Sequence, residues 1–400
     1  MHLPVPIGPI SGKLLFSLLS ALPIPRLLLR LARKERPGPN WLVHALWTLN
    51  PLILTIATRG SSESILVLLV LASLVALLDG RLRTCAILWG ASVHWKIYPV
   101  IYASSIFVVL QRMDNGRFWT WRKVAFGLWA GGTMFGLSLV CWLMYVPPSS
   151  PRNAQLDGAR RWGYPFIEHA FLYHASRLDH RHNFSAYFYP IYLQMFHRPS
   201  PPSAGLPALL GLADRIARHP LAAFVPQMSL SLGAGLLLPG ADVAFTWFVQ
   251  TVVFVTFNKV CTSQVSRSHS TFPLEKLGCL LIPPAGRRKY FIWYLFFLPV
   301  VIPHLRISLG KGVLLLAVWT LSQASFLSPW AIPRAPDLTR KRAFFFRQAL
   351  WLAIAYRLEF QAANVFLPLW LASLAFLVAN CWCLGVVVDG YVVRKRVKGE

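Results

Sequence analysis

Residues 364–388 read NVFLPLWLASLAFLVANCWCLGVVV, a run without a single charged side chain. A helix needs roughly 20 apolar residues to cross about 30 Å of hydrocarbon, and this run is long enough. Working back along the chain, further uncharged runs cover Gly312–Pro333, Val243–Asn258, Pro220–Ala241, Val124–Pro151, Ile97–Gln111, Ser64–Leu78 and Pro37–Thr58. In lipid every backbone amide must be satisfied within its own segment, so such runs become helices. The pattern predicts an all-α integral membrane protein: one multi-pass domain over residues 1–400, with about eight to ten spans.

Composition agrees. Charged residues make up 14% of the chain, where a soluble domain carries about 25%. Hydrophobic residues make up 56%, and the mean hydropathy is +0.51. The net charge of +26 is read as topology and not as a nucleic-acid footprint. The basic residues punctuate the apolar runs and form no stripe with stacking aromatics, as expected of cytoplasmic loops facing anionic lipid. Cys85, Cys141, Cys261, Cys279, Cys381 and Cys383 have no metal-ligand spacing and lie mostly in or beside apolar runs, where buried thiols are the rule.

Two basic loops fix a parity. Arg26, Arg30, Arg33, Lys34 and Arg36 form one, and Arg112, Arg117, Arg122 and Lys123 the other. If both are cytosolic, an even number of crossings separates them. Residues 41–58 then go out and 64–78 return. Residues 84–111 go out and back as two short halves that turn near His94–Pro99, although one tilted helix through 84–111 would break the parity. Residues 124–147 go out and deliver a long polar loop, 152–219, to the luminal side. The segment Leu14–Pro25, interrupted by prolines, reads as half a span or an interfacial piece. Near the C-terminus, 348–359 and 364–388 are expected to form a hairpin between two basic stretches. The parity of 259–333 stays open.

Polar clusters sit at the ends of these runs. Arg59 and Glu63 flank a turn and read either as a substrate-facing pair or as an ordinary interfacial ion pair. His94 and Lys96 follow in "HWKIYPV". An ammonium with apolar sequence on both sides must snorkel, pair or bind an anion such as a lipid phosphate. The densest cluster holds Glu168, His169, Arg177, Asp179, Arg181 and His182. Helical spacing puts His169, Tyr173 and Arg177 on one face, suited to a sugar phosphate, with a solvated face as the alternative. Asn258 and Lys259 belong to the fourth cluster, Thr256–Gln264, fit for a carbohydrate, a head group or a plain interfacial cap.

Taken in order, LNPLILTIATRGSSES (49–64), HWKIYPV (94–100), FIEHAFLYHASRLDHRHNFSAYFYPIYL (166–193) and VTFNKVCTSQ (255–264) resemble the catalytic subunit of glycosylphosphatidylinositol (GPI) mannosyltransferase 1, of fungal type. The resemblance runs from about residue 11 to residue 390. It implies a multi-span glycosyltransferase fold of the GT-C type in the endoplasmic reticulum membrane, with a lumen-facing site. It implies transfer of the first mannose, in α-1,4 linkage, from dolichyl phosphate mannose to glucosaminyl-(acyl)phosphatidylinositol. The β-linked donor gives an α-linked product, so the reaction inverts. Such chemistry needs a carboxylate to deprotonate the acceptor and cations to stabilise the departing phosphate. Arg59, Glu63, His94, Lys96, His169, Arg177, Arg181, His182, Asn258 and Lys259 are the expected substrate-binding residues. No nucleic acid is expected, and a small accessory membrane subunit is. Whether a divalent metal takes part is left open.

Two departures from the family pattern shape the expectations. The family's luminal Asp-x-Asp-type motif is not found ahead of residue 12, so the chain is expected to be N-terminally shortened. The catalytic carboxylate is then unassigned, with Glu168 and Asp179 as the weak substitutes. Residues 265–289, VSRSHSTFPLEKLGCLLIPPAGRRK, form an atypical insertion between VCTSQ and the aromatic run at 290–294, expected to be a retained intron or a loop. Two other classes stay open: an inactive or noncatalytic assembly protein, and a secondary transporter, although no repeated halves are evident.

Overall fold

A computed structural model describes residues 8–35, 39–145, 185–195, 224–238, 242–259, 289–324 and 364–391, with isolated residues 167, 170 and 222. Helices are numbered in chain order: α1 Gly8–Ala21, α2 Pro23–Glu35, α3 Asn40–Val43, α4 Pro51–Thr58, α5 Glu63–Leu78, α6 Leu82–Trp95, α7 Ala103–Met113 and α8 Trp121–Tyr145. There follow α9 Phe188–Met195, α10 Phe224–Leu237, α11 Val243–Thr256, α12 Lys289–Leu295, α13 Leu298–Val301, α14 Leu309–Ala324 and α15 Phe366–Gly390. The fold is all-α and multi-span. Only Ser11–Lys34, Trp121–Leu143 and Phe366–Gly390 are long and apolar enough to cross a bilayer as single helices among the described residues. The other expected spans that fall among the described residues are shorter or broken. The N-terminal segment is no half-span, because α1 and α2 continue each other across Leu22.

The chain forms two compact units. The first comprises residues 1–177, 228–251 and 292–303. Its centre is α5, where Leu66, Val67, Val70, Leu71 and Leu74 are fully buried. A helix apolar on every side is suited to being surrounded. α1 and α2 run alongside it in the same direction. Lys13 lies beside Gly60 at one end, and at the other Arg30 and Lys34 bind Asp79 at 2.8 and 2.7 Å. Gly80 makes the α5–α6 turn at φ +72°, with the Arg81 N–H donating to the Ala76 carbonyl at 2.9 Å. That is the glycine-terminated helix stop.

α6 and α8 run parallel and close. A Cβ on Gly90 would stand 2.2 Å from the Ala130 carbonyl oxygen, so glycine sets the approach, as small residues do between membrane helices. Between them the chain turns back at Lys96–Ile97, passes a 3₁₀ turn at Tyr98–Tyr102 and returns through α7. This is the out-and-back arrangement of 84–111, not the single tilted helix. The broken backbone is satisfied by side chains: Trp89 Nε1 donates to the Pro99 carbonyl at 2.8 Å, and Gln250 Nε2 to the Ile101 carbonyl at 2.7 Å. Irregular backbone is tolerated at membrane depth only when covered in this way.

The α2 end, the α5–α6 turn and the α7–α8 loop therefore lie at one basic edge. Asp79 gathers Arg30, Lys34 and Arg81, and Asp114 gathers Arg122 and Lys123. The Lys34 hydrogen bond, with the charges of Lys34 and Arg30 behind it, holds the Asp79 carboxyl below the usual aspartate range. The Thr120 hydroxyl does the same for Asp114, helped by Arg122 and Lys123.

The second unit comprises residues 178–227, 252–291 and 304–400. α15 is one continuous helix over 366–390, and its proposed hairpin partner at 348–359 lies outside the described residues. α9 packs on it: Phe188 meets Leu369 in a small core, and Trp370 Nε1 donates to the Ala186 carbonyl at 2.9 Å. Part of the 152–219 loop is thus helical and built into the fold.

Candidate functional site

Glu63 opens α5 at the edge opposite the basic one, and Lys96 follows the end of α6 at the same level. The antiparallel α5–α6 hairpin brings them together across 33 residues. Lys96 Nζ bonds Glu63 Oε1. The other oxygen, Oε2, accepts from Trp293 Nε1 at 2.8 Å. Glu63 is 1% exposed, whereas the Lys96 side chain keeps 31% of its surface open. Trp293 stacks on Tyr98 with ring centroids 4.1 Å apart and 7° between planes. The Lys96 ammonium lies 5.1 Å from the centre of that indole, within cation–π range.

One turn on, the pattern repeats. Tyr102 stacks on Trp247 at 4.2 Å, and its hydroxyl meets Thr251 Oγ1 at 2.6 Å. Gln250 Nε2 also reaches Ser104 Oγ at 3.0 Å and the Ser231 carbonyl at 3.1 Å. Gly235 makes room, since a Cβ there would lie 2.2 Å from Ser104 Oγ. This network clamps the 96–104 turn, and with it the position of Lys96.

The arrangement can hold an anion. An ammonium has three donors, and Glu63 takes one. Glu63 is a counter-ion: it is buried, and each of its oxygens already accepts a hydrogen bond. The turn-local Arg59–Glu63 pair is not formed among the described residues, because Glu63 points to Lys96 while Arg59 is exposed. His94 contacts Ser138 Oγ through Nδ1 at 3.0 Å and Cys141 Sγ through Nε2 at 3.8 Å, tying α6 to α8. Among the described residues no three His, Cys, Asp or Glu side chains come together for a metal.

Asn258 and Lys259 belong to the second unit, beyond the end of α11. Lys259 is buried over Phe224, 5.7 Å from the ring centre. Burial pushes its ammonium below the usual lysine range. Its carbonyl accepts from Ser185 Oγ at 2.6 Å, so the fourth cluster is tied to Ser185 of the 166–193 motif. Glu168, His169, Arg177, Asp179, Arg181 and His182 lie outside the described residues.

A family profile described as mannosyltransferase (PIG-M) matches residues 56–266, 286–333 and 330–388. The chain belongs to the GPI mannosyltransferase 1 family. It is 35% identical over 394 residues to the GPI alpha-1,4-mannosyltransferase I catalytic subunit of Danio rerio, covering 96% of this chain and 79% of that protein. It is 34% identical to GPI mannosyltransferase 1 of Neurospora crassa, covering 86% of this chain and 62% of the relative. Against the Saccharomyces cerevisiae protein of the same name the identity is 32%, over 93% and 73%. As in this family's glycosyltransferases, the fold is a multi-span membrane one, and Glu63, Lys96 and Trp293 all fall within the matched stretches. The match pauses between residues 266 and 286.

Trp293 and Gln250 were not legible as site residues. Trp293 is 230 positions from Glu63, and its sequence neighbourhood is an aromatic run like any lipid-facing belt.

Proposed function

We propose that this chain transfers the first mannose, in α-1,4 linkage, to a GPI precursor, taking it from dolichyl phosphate mannose at the luminal edge of the endoplasmic reticulum membrane. The observation that carries the reading is the Lys96 ammonium, held by buried Glu63 at the edge opposite the basic loops, in a chain of this family. The positive-inside rule makes the basic edge cytosolic and the Lys96 edge luminal.

The donor's leaving group is a phosphate on a polyprenyl tail. As the sugar–oxygen bond breaks, negative charge grows on that phosphate. A fixed cation in a site partly shielded from water stabilises it most. Lys96 has the exposure to touch it and a counter-ion to fix it. The paired aromatic stacks keep the supporting turn rigid, so little is spent on ordering it during reaction. The acceptor hydroxyl needs a separate base, since both Glu63 oxygens are engaged. His169, Arg177, Arg181, His182 and Lys259 are proposed as further substrate-binding residues, and a small membrane subunit as partner.

The direct test is complementation of a strain lacking the first GPI mannosyltransferase, together with transfer of labelled mannose in its microsomes. Growth and a mono-mannosylated precursor are expected. Failure of both, with the protein present in the membrane, would refute the reading.

A further inference from the structure

We propose that Trp293 is a positioning residue, whose indole N–H orients buried Glu63 so that Lys96 stays directed to a lipid-linked phosphate. This rests on the reading of Lys96 as a phosphate contact.

Trp293 touches both members of the ion pair in different ways. Its edge N–H donates to Glu63 Oε2, and its face lies under the Lys96 ammonium. The stack on Tyr98 locks the ring, and Trp293 is 5% exposed, so the N–H has one fixed direction. Glu63 needs both partners. A carboxylate buried to 1% exposure with one oxygen bare carries a desolvation cost. Without the indole N–H, the carboxylate relieves that cost by turning both oxygens to Lys96. The ammonium is then drawn inward and commits more of its donors to Glu63, leaving fewer for an anion. Trp293 therefore decides how the lysine divides itself between its internal partner and a ligand.

The substitution Trp293→Phe separates the two contacts, keeping a ring to stack on Tyr98 and removing the N–H. Two measurements on the full chain in detergent decide the matter: the affinity for dolichyl phosphate, an unreactive probe, and the KM values for the mannosyl donor and the glycolipid acceptor. Trp293→Phe is expected to weaken dolichyl phosphate binding and raise the donor KM about tenfold, the lower worth of one hydrogen bond to a charged group. The acceptor KM should hold, while the thermal midpoint falls only as far as a trimmed buried ring requires. Glu63→Asp, which withdraws the carboxylate by one methylene and takes Lys96 inward with it, is expected to weaken dolichyl phosphate binding and raise the donor KM likewise, with a fall in the thermal midpoint. A structural role alone would lower protein yield and kcat without separating the two KM values. Unchanged dolichyl phosphate affinity in both variants, or parallel rises in both KM values, would overturn the proposal. Absent transfer by the unaltered chain would count against the proposed function instead, while the binding comparison would still judge Trp293.

Discussion

At the scale of single residues, the Glu63–Lys96 pair makes a sharp energetic prediction. Removing one partner of a buried pair leaves an uncompensated charge and costs about 3–5 kcal/mol, whereas replacing both is often near neutral. Lys96→Met alone should therefore lower the thermal midpoint of the detergent-solubilised protein. The double change Glu63→Gln with Lys96→Met should recover much of that loss, yet leave mannose transfer as low as in the single variant. Recovery of activity along with stability would mean that Lys96 is only a structural partner. The local sequence pointed elsewhere: Glu63 lies four residues from Arg59, the spacing at which helical neighbours pair. The true partner comes from the next helix, and only the α5–α6 turn at Gly80 reveals it. Glu168, His169, Arg177, Asp179, Arg181 and His182 form the cluster most distinctive in sequence, and they lie outside the described residues.

Asp79 gives a residue-scale prediction with a definite sign. Its carboxyl is held below the ordinary aspartate range by Lys34 first. A depressed native value means a contribution that is complete above the unfolded value of about 3.9 and lost as pH falls below it. The α2 tether to the α5–α6 turn should thus be constant from neutral pH down to about 4 and weaken below. Asp79→Asn should abolish that acid sensitivity and cost about 1 kcal/mol at neutral pH, since the pairs are solvent-screened. Acid titration of the thermal midpoint in both proteins checks this. High salt should shrink the difference.

At the scale of elements, the prediction concerns which glycines are structural. Gly90 faces the Ala130 carbonyl, whereas Gly127 on α8 has open space around its Cβ position. Gly90→Ala should force α6 and α8 apart and cost about 1–3 kcal/mol, the usual penalty of overpacking. Gly127→Ala should be neutral or mildly stabilising, because alanine favours a helix by about 1 kcal/mol over glycine. Unfolding of the two variants in detergent is the measurement, and equal effects would contradict the close α6–α8 approach. Element existence was readable because charge-free runs in lipid have no alternative to helix. Element length was less so. Runs such as 84–111 are too short for two ordinary spans, and that shortness was itself the signal of the break at Lys96. The continuity of α1 into α2 was hidden by Pro23 and Pro25, which normally argue against a helix interior. Here Pro23 begins α2, a first-turn position that proline tolerates.

At the scale of the whole molecule, everything proposed for Lys96 depends on which side of the membrane it faces. Sequence supplied the rule, since both basic loops had to share a side. The structure supplies the alternation that the rule needed, in the out-and-back passage from α6 to α7. Two exposed positions in the first unit report the two edges: Asn115 in the α7–α8 turn and Ile97 beside Lys96. In a chain with its native cysteines replaced, Asn115→Cys in sealed microsomes should react with a membrane-impermeant maleimide. Ile97→Cys should react only after the vesicles are permeabilised. The reverse pattern would put the Lys96 edge in the cytosol, away from a luminal glycolipid. Labelling of both in sealed vesicles would undo the α6–α7 turn itself. Lys96 sits at the tip of that turn, so its sidedness follows from a covalent neighbour one residue away and not from packing that a substitution could disturb.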